Sequence, residues 1–221
     1  MRALIPPDGA IVAAVTAQIS DSVQLEGEHE AFSIAGVSGG PLFEPAQHGL
    51  KPVMISTACW RGWYATYAVR DRQLLIASLA IGLDHTQPLP TLEGLSPQRR
   101  SYEARELKNG EWVDVKATTH EWFFEPLTLP VPFTGGLLLA RGFIRELYVH
   151  MGHHPAWKYE EVVELTFVDG RLATMQSRSE AMAKLRSELA NRDKPARGAT
   201  RDEVSEWIEG TFSLRYPGFG E

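Results

Sequence analysis

The chain has 221 residues and a mass of 24.6 kDa, with 43% hydrophobic, 23% charged and 10% aromatic residues. Those fractions exclude a disordered chain, a collagen-like repeat and a coiled coil, and a chain this long buries a sizeable core without disulfide staples. A net charge of −6 and a pI near 5.7 argue against general attraction to nucleic acid or anionic membranes.

In chain order, residues 11–35 mix Val, Ile, Thr and Ser with charges and pass through Gly27, which predicts two short strands. Residues 36–52 are rich in Gly and Pro and predict a loop. In Trp63–Val69 one face carries Trp63, Ala65, Tyr67 and Val69, and the other Tyr64, Thr66 and Ala68. That period of two predicts a strand, and after Arg70–Gln73 the apolar run Leu74–Ile81 returns as its hairpin partner. The proline-rich stretch 84–100 predicts a surface loop, the one place where a single domain spanning 1–221 could subdivide.

Asn109-Gly110 tolerates the positive φ of a two-residue hairpin turn between Tyr102–Leu107 and Trp112–Ala117. Residues 125–136 carry three prolines and two glycines and read as an extended crossing, with a strand resuming over Gly136–Arg141. Gly142–Met151 fits a helical turn or a strand. Glu160–Met175 is a second strong hairpin around Asp169-Gly170, with Val163, Leu165 and Phe167 on one face.

Ser177 and Glu180 fit a capping box opening a helix with Met182, Leu185 and Leu189 on one stripe. Thr200 and Glu203 fit a second, with Val204, Trp207 and Ile208 on its apolar face and Gly210 at its end. The aromatic tail, from Phe212 to Phe219, is expected to dock on the body. The fold expected is α+β: mainly antiparallel sheet built from hairpins, with two C-terminal helices packed on it.

Charge is uneven along the chain. Residues 1–50 hold six acids and one base, whereas residues 171–201 hold eight bases and three acids. No secretory signal is visible, because Pro6, Pro7 and Gly9 interrupt the first apolar run. The longest apolar run, Leu74–Leu83, is well short of the roughly 18 residues of a membrane helix. One cysteine, Cys59, excludes an intramolecular disulfide and fits a reducing compartment. A cytoplasmic protein is expected, with no membrane partner, and nucleic acid is disfavoured as a partner.

Three features carry chemistry. The first is the aromatic run from Cys59 to Tyr67. Trp60, Arg61 and Tyr64 are of the types that dominate binding hot spots, and on a strand Trp60 and Tyr64 would share a face. Gly62 among them points to a bulge or a close backbone approach.

The second is His150, His153 and His154, followed by Glu161. Histidine is the usual zinc ligand and the usual acid–base residue near neutral pH. The spacing matches neither zincin motif, and Gly152 and Pro155 oppose a rigid helical presentation. The third is Cys59, between Ala58 and Trp60, which reads better as a small buried hydrophobe than as a nucleophile. Phosphate-loop, dinucleotide, nucleophile-elbow and paired-cysteine signatures are absent, so no cofactor and no metal is expected.

The segment Ser56–Tyr67, and the segment from Gly135 through Val162 into the Asp169-Gly170 hairpin, together resemble a group of uncharacterised bacterial cytosolic proteins of similar size. The resemblance covers about a third of the chain and implies no activity and no catalytic residue. Small acidic bacterial proteins of this kind include immunity proteins that neutralise a cognate toxin, an analogy of class alone. The leading expectation is therefore a non-enzymatic protein-binding protein of immunity type, its acidic balance suited to a basic, toxin-like partner. The alternative is a metal-dependent hydrolase using His150, His153, His154 and Glu161. A ligand-sensing domain is a third reading. Oligomeric state is left open.

Overall fold

The structure, a computed structural model, describes residues 17–108, 110–150, 152–189, 200, 202–203 and 213–218. Its strands are β1 Ser22–Leu25, β2 Phe32–Gly39, β3 Trp63–Arg70, β4 Gln73–Ile81, β5 Ser101–Lys108, β6 Glu111–Thr118, β7 Trp122–Phe124, β8 Leu129–Pro130, β9 Gly135–Phe143, β10 Tyr159–Val168 and β11 Arg171–Ser177. One helix, α1, covers Ser179–Leu189.

Apolar residues directed to one side of the paired strands give the main sheet a buried inner face. That sheet curls until its ends meet, in the order β11-β10-β9-β2-β1-β3-β4. It closes where Arg171 of β11 pairs Gln73 of β4. The Leu74 amide donates to the Gly170 carbonyl at 2.8 Å, and the Leu172 amide to the Arg72 carbonyl at 2.8 Å. Beyond that seam β4 diverges from β11, and β8 and then β7 pair along its free edge. The result is a small barrel filled by side chains, among them Val23, Ile34, Tyr67, Ile76, Leu139 and Leu165.

Closing so small a sheet requires sharp bends. Three ladders each carry one extra residue, Ala35 against β9, Ala77 against β3 and Ala173 against β10. Such bulges bend and twist a strand. Each also reverses the inward face: on β4 both Leu74/Ile76 and Leu79/Ile81 are buried although their spacing is odd across Ala77.

The expected α+β architecture with two packed C-terminal helices is corrected. The described residues are mostly β, with α1 as their single helix. The first helix also begins later than the Ser177 capping box predicts. β10 offers β11 a partner up to Ser177, so Ser177 remains strand and α1 starts at Ser179, whose hydroxyl accepts from the Val162 amide at 3.0 Å. α1 lays Met182 and Leu185 over the outer face of β9 and β10, against Leu138 and Val162. The second capping box is formed, the Thr200 and Glu203 side chains each accepting from the other's backbone amide. Val204, Trp207, Ile208 and Gly210 lie outside the described residues.

Two further departures matter. β1 pairs antiparallel with β2 but parallel with β3, so the sheet is not built from hairpins alone. β2 runs to Gly39, into the predicted loop, because β9 pairs it as far as Gly39↔Gly135. In the tail, the Val37 amide donates to the Leu214 carbonyl at 2.6 Å, and the Tyr216 hydroxyl donates to buried Glu164 at 3.0 Å. Glu164 also accepts from Arg178 at 2.6 Å. Phe212 and Phe219 lie outside the described residues.

The closing seam depends on a residue without a side chain. Gly170 has φ +73°, and a Cβ there would overlap the Val131 carbonyl oxygen. Gly27 has φ +82° but open space around it. Gly27→Ala should therefore cost only the backbone strain, about 1 kcal/mol. Gly170→Ala should cost at least about 2 kcal/mol more, because the seam must part. Urea unfolding of both variants measures the difference; equal losses would mean that the seam is not held as described.

Candidate functional site

Two adjoining cavities open where β1, β2 and β3 reach one end of the barrel. One of about 410 Å³ is lined by Asp21, Ile34, Val37, Phe43, Trp63 and Tyr67, among others. The second, about 320 Å³, is lined by Gln18, Ile19, Cys59, Trp60 and His153. Arg61 and Leu214 line both. The larger cavity takes both Ile34 and Val37 because the Ala35 bulge turns Val37 to the side of Ile34.

Arg61 is aimed by the tight turn that leads into β3. The Cys59 amide donates to the Ser56 carbonyl at 2.9 Å, and the Gly62 amide to the Cys59 carbonyl at 3.2 Å. At Gly62, φ is +77° and a Cβ would collide with the Val53 carbonyl, the close approach expected from sequence. The Arg61 guanidinium lies 4.1 Å from the centre of the Trp63 ring and donates from Nε to the Trp63 carbonyl at 2.7 Å. It also forms an ion pair with Asp21.

Asp21 is 6% exposed, and its carboxylate also accepts from the Ala65 amide at 2.8 Å. Burial pushes its pKa up, while Arg61 and the Ala65 amide pull it back. Tyr67 is fully buried, and its hydroxyl has no hydrogen-bond partner among the described residues. Burial, and then the Asp21 charge, holds that hydroxyl protonated well above its ordinary range. Phe43 packs edge-on against Trp63, ring centres 5.5 Å apart, and closes one wall.

The residues expected from sequence separate into groups. Trp60 and Arg61 stand together at the mouth, whereas Tyr64 does not line either cavity. Trp60 precedes the first residue of β3, so strand alternation does not place it beside Tyr64. The Tyr64 hydroxyl instead donates to Glu121 at 3.3 Å, and burial followed by Glu121 pushes its pKa up to about 12.

His150, His153 and His154 do not converge as a ligand set. His150 bonds the Tyr148 hydroxyl at 2.8 Å. His154 packs against Phe143 and Tyr148, with ring centres 4.6 and 5.2 Å away. Glu161 pairs with Arg141 at 2.8 Å. His153 shares a 3.3 Å hydrogen bond with Ser20 and faces the smaller cavity. Among the described residues no group of three His, Cys, Asp or Glu side chains is placed to hold a metal ion. Cys59 is buried, its thiol donating to the Trp63 carbonyl at 3.4 Å, and burial raises its pKa.

Asp21, Ile34, Val37 and Phe43 are lining residues that sequence reasoning missed, and Tyr67 lay in the aromatic run without being assigned to the site. A single acid before a strand carries no signal, and Tyr67 is indistinguishable in sequence from an ordinary core aromatic. Chemically the mouth pushes its groups away from neutral-pH proton exchange: the Cys59 thiol and Tyr67 hydroxyl upward, the His153 imidazole downward. It offers fixed dipoles, one ion pair and apolar walls.

Comparison with protein-family models, with curated proteins and with solved structures finds no match for this chain. No helix among the described residues is long and apolar enough to cross a membrane.

His153 sets a pH dependence. Burial first, then the Arg61 charge and His154, lowers its pKa from 6.5 to about 4. The unfolded chain therefore binds the proton first as pH falls, and stability should drop between pH 6.5 and about 4. Asp21, with its pKa raised, acts in the opposite sense: its contribution is full at low pH and lost as pH rises. Replacing only the imidazole isolates the first effect. His153→Gln should flatten the fall in urea midpoint between pH 6.5 and 4, and an unchanged profile would refute the assignment.

Proposed function

We propose that the chain is a non-enzymatic binding protein that takes a small ligand into the barrel mouth. The ligand has an apolar or aromatic body, seated against Ile34, Val37, Phe43 and Trp63, and an oxygen that meets the Tyr67 hydroxyl. The supporting observation is Tyr67: it is among the residues lining a cavity of about 410 Å³, it is fully buried, and its hydroxyl has no partner among the described residues. An unsatisfied buried hydroxyl costs about 1–3 kcal/mol, a cost a ligand oxygen would relieve. The volume falls within the usual range for ligand pockets, and barrel mouths are a common place for them.

The probe that tests this is 8-anilinonaphthalene-1-sulfonate, an aromatic body with an anionic oxygen head. The expected result is saturable one-site fluorescence enhancement. Gly40 lines the same cavity and a Cβ there meets no atom within 4 Å, so Gly40→Trp should fill the space and abolish binding without unfolding the protein. Tyr67→Phe should weaken the probe about tenfold while raising unfolding stability by about 1 kcal/mol. Absence of saturable binding, or equal binding by Gly40→Trp, would end the proposal.

A second reading, a protein partner of the toxin type, draws on a different observation. Ile19, Val53, Met54 and Trp60 are all exposed. Ile19 and Trp60 line the smaller cavity, and the Val53 carbonyl abuts Gly62 in the turn that carries Trp60. Exposed aromatic and aliphatic side chains beside an arginine are the composition of an interface core. Under this reading a stoichiometric protein partner is lost in Trp60→Ala, while probe binding at the larger cavity is unchanged.

A further inference from the structure

The hairpin β5–β6 stands apart from the barrel. Its eight residue pairs, from Ser101↔Thr118 to Lys108↔Glu111, form a two-stranded sheet of their own. Among the described residues no other strand pairs with either edge. An isolated two-stranded hairpin is marginal in water, and a third strand is ordinarily needed. Two unpaired edges eight residues long are also templates for adding another strand.

The two faces differ. Tyr102, Ala104, Val113, Val115 and Ala117 share one face, and the last four of these are only partly exposed. The other face carries Glu103 opposite Lys116, Arg105 opposite Asp114 and Leu107 opposite Trp112. Arg105 and Asp114 form an ion pair at 3.4 Å.

The β6 edge is complementary to itself. Place a second β6 antiparallel about a two-fold axis through Val115. Val115 then faces its copy, Val113 faces Ala117, and Asp114 faces Lys116, each of the last two pairs occurring twice. Across four strands the charged rows read Arg105, Asp114, Lys116, Glu103, alternating in sign throughout. Centring on Asp114 or on Lys116 instead sets like charges opposite each other, and centring on Val113 or Ala117 breaks the Asp114–Lys116 pairing. The same construction on β5, about Ala104, pairs Glu103 with Arg105 but sets Tyr102 against Glu106 and forms no apolar pair beyond the centre. Opposite-charge and β-branched cross-strand pairs stabilise a sheet, and like charges directly opposite destabilise it.

We propose that the occupant of this edge is a second copy of the chain: two β6 strands pair about Val115 and join two hairpins into one four-stranded antiparallel sheet. The dimer so formed is isologous and closed at that edge.

Sedimentation of the full chain across a dilution series tests this. Wild type is expected to shift from 24.6 kDa toward twice that mass as concentration rises. Asp114→Lys sets two lysines opposite each other across the two-fold axis, and Lys116→Asp sets two aspartates opposite each other. Each variant alone should raise the dimer dissociation constant by about tenfold or more. Across the axis each variant's own dimer holds two like-charge pairs, lysine–lysine or aspartate–aspartate, whereas a mixed dimer from an equimolar mixture holds two lysine–aspartate pairs and no like-charge pair. In that mixed dimer the introduced lysine faces the introduced aspartate, and the native Asp114 faces the native Lys116. The mixture should therefore recover the dimer, which also shows that both variants fold. A wild type that stays at 24.6 kDa throughout overturns the proposal. So do single variants that dimerise as wild type does, the result expected if β5 or another surface forms the contact. A mixture that fails to recover the dimer overturns it as well.

Discussion

The constraint on which the rest depends is the burial of the Asp21 carboxylate. It is reached by the Ala65 amide of β3 and by the Arg61 guanidinium, while the Asp21 carbonyl accepts from Ile34 of β2 at 2.8 Å. One residue thus joins the starts of three strands and fixes the parallel register of β1 on β3, Ser22↔Thr66 through Leu25↔Val69. A buried carboxylate is tolerable only with its donors in place, and removing one partner leaves a charge in low dielectric. The turn that presents Arg61 is accordingly tied down on every side, by Gly62 against Val53 and by the guanidinium on Trp63.

The same arrangement sets the electrostatics of the mouth. Arg61 is held by Asp21, so its positive charge is largely answered inside the protein. Its field still contributes to keeping His153 neutral and opposes the rise of the Cys59 pKa. In both residues burial is the larger effect. What remains without a partner among the described residues is a neutral donor, the Tyr67 hydroxyl, beside a cavity lined by the charged Asp21, Glu44, Arg61 and Arg215 as well as by aromatic and aliphatic carbon. A ligand taken there, as proposed, would be selected by shape and by one hydrogen bond.

Much of the sheet was legible in the sequence, and for a local reason. Trp63–Val69 with Leu74–Ile81, and the segment Glu160–Met175 around Asp169-Gly170, are apolar, β-prone and joined by short turns, so neighbours in sequence are neighbours in space. The hairpin around Gly110 was equally plain. The parallel contact of β1 with β3 and the closure of β11 on β4 were not, because both are set by distant segments whose patterns fit many partners. The bulges at Ala35, Ala77 and Ala173 were invisible for the same reason: alanine suits either face. At the mouth, Arg61 and Trp60 stood out in the sequence because aromatic and arginine side chains are favoured in binding surfaces on their own. Asp21 and Tyr67 matter only through what the barrel brings to them. Trp60 lies in the turn before β3 begins, so the alternation that would set Tyr64 beside it does not extend that far.

β3 joins the two surfaces proposed to bind. Its inner face carries Trp63 and Tyr67 into the mouth. From its outer face, the Tyr64 hydroxyl bonds Glu121 at the foot of the hairpin. That foot is built firmly: Arg100 pairs with Glu125 and lies 3.9 Å from the Phe123 ring centre, and Arg99 lies 4.8 Å from that of Trp122. Gln98 and Phe123 exchange backbone hydrogen bonds at 2.7 and 2.9 Å, anchoring the approach to β5 onto β7 and so onto β4. An arm rooted in this way has its direction set by the barrel, so an edge-to-edge contact at β6 would hold two mouths at a fixed separation.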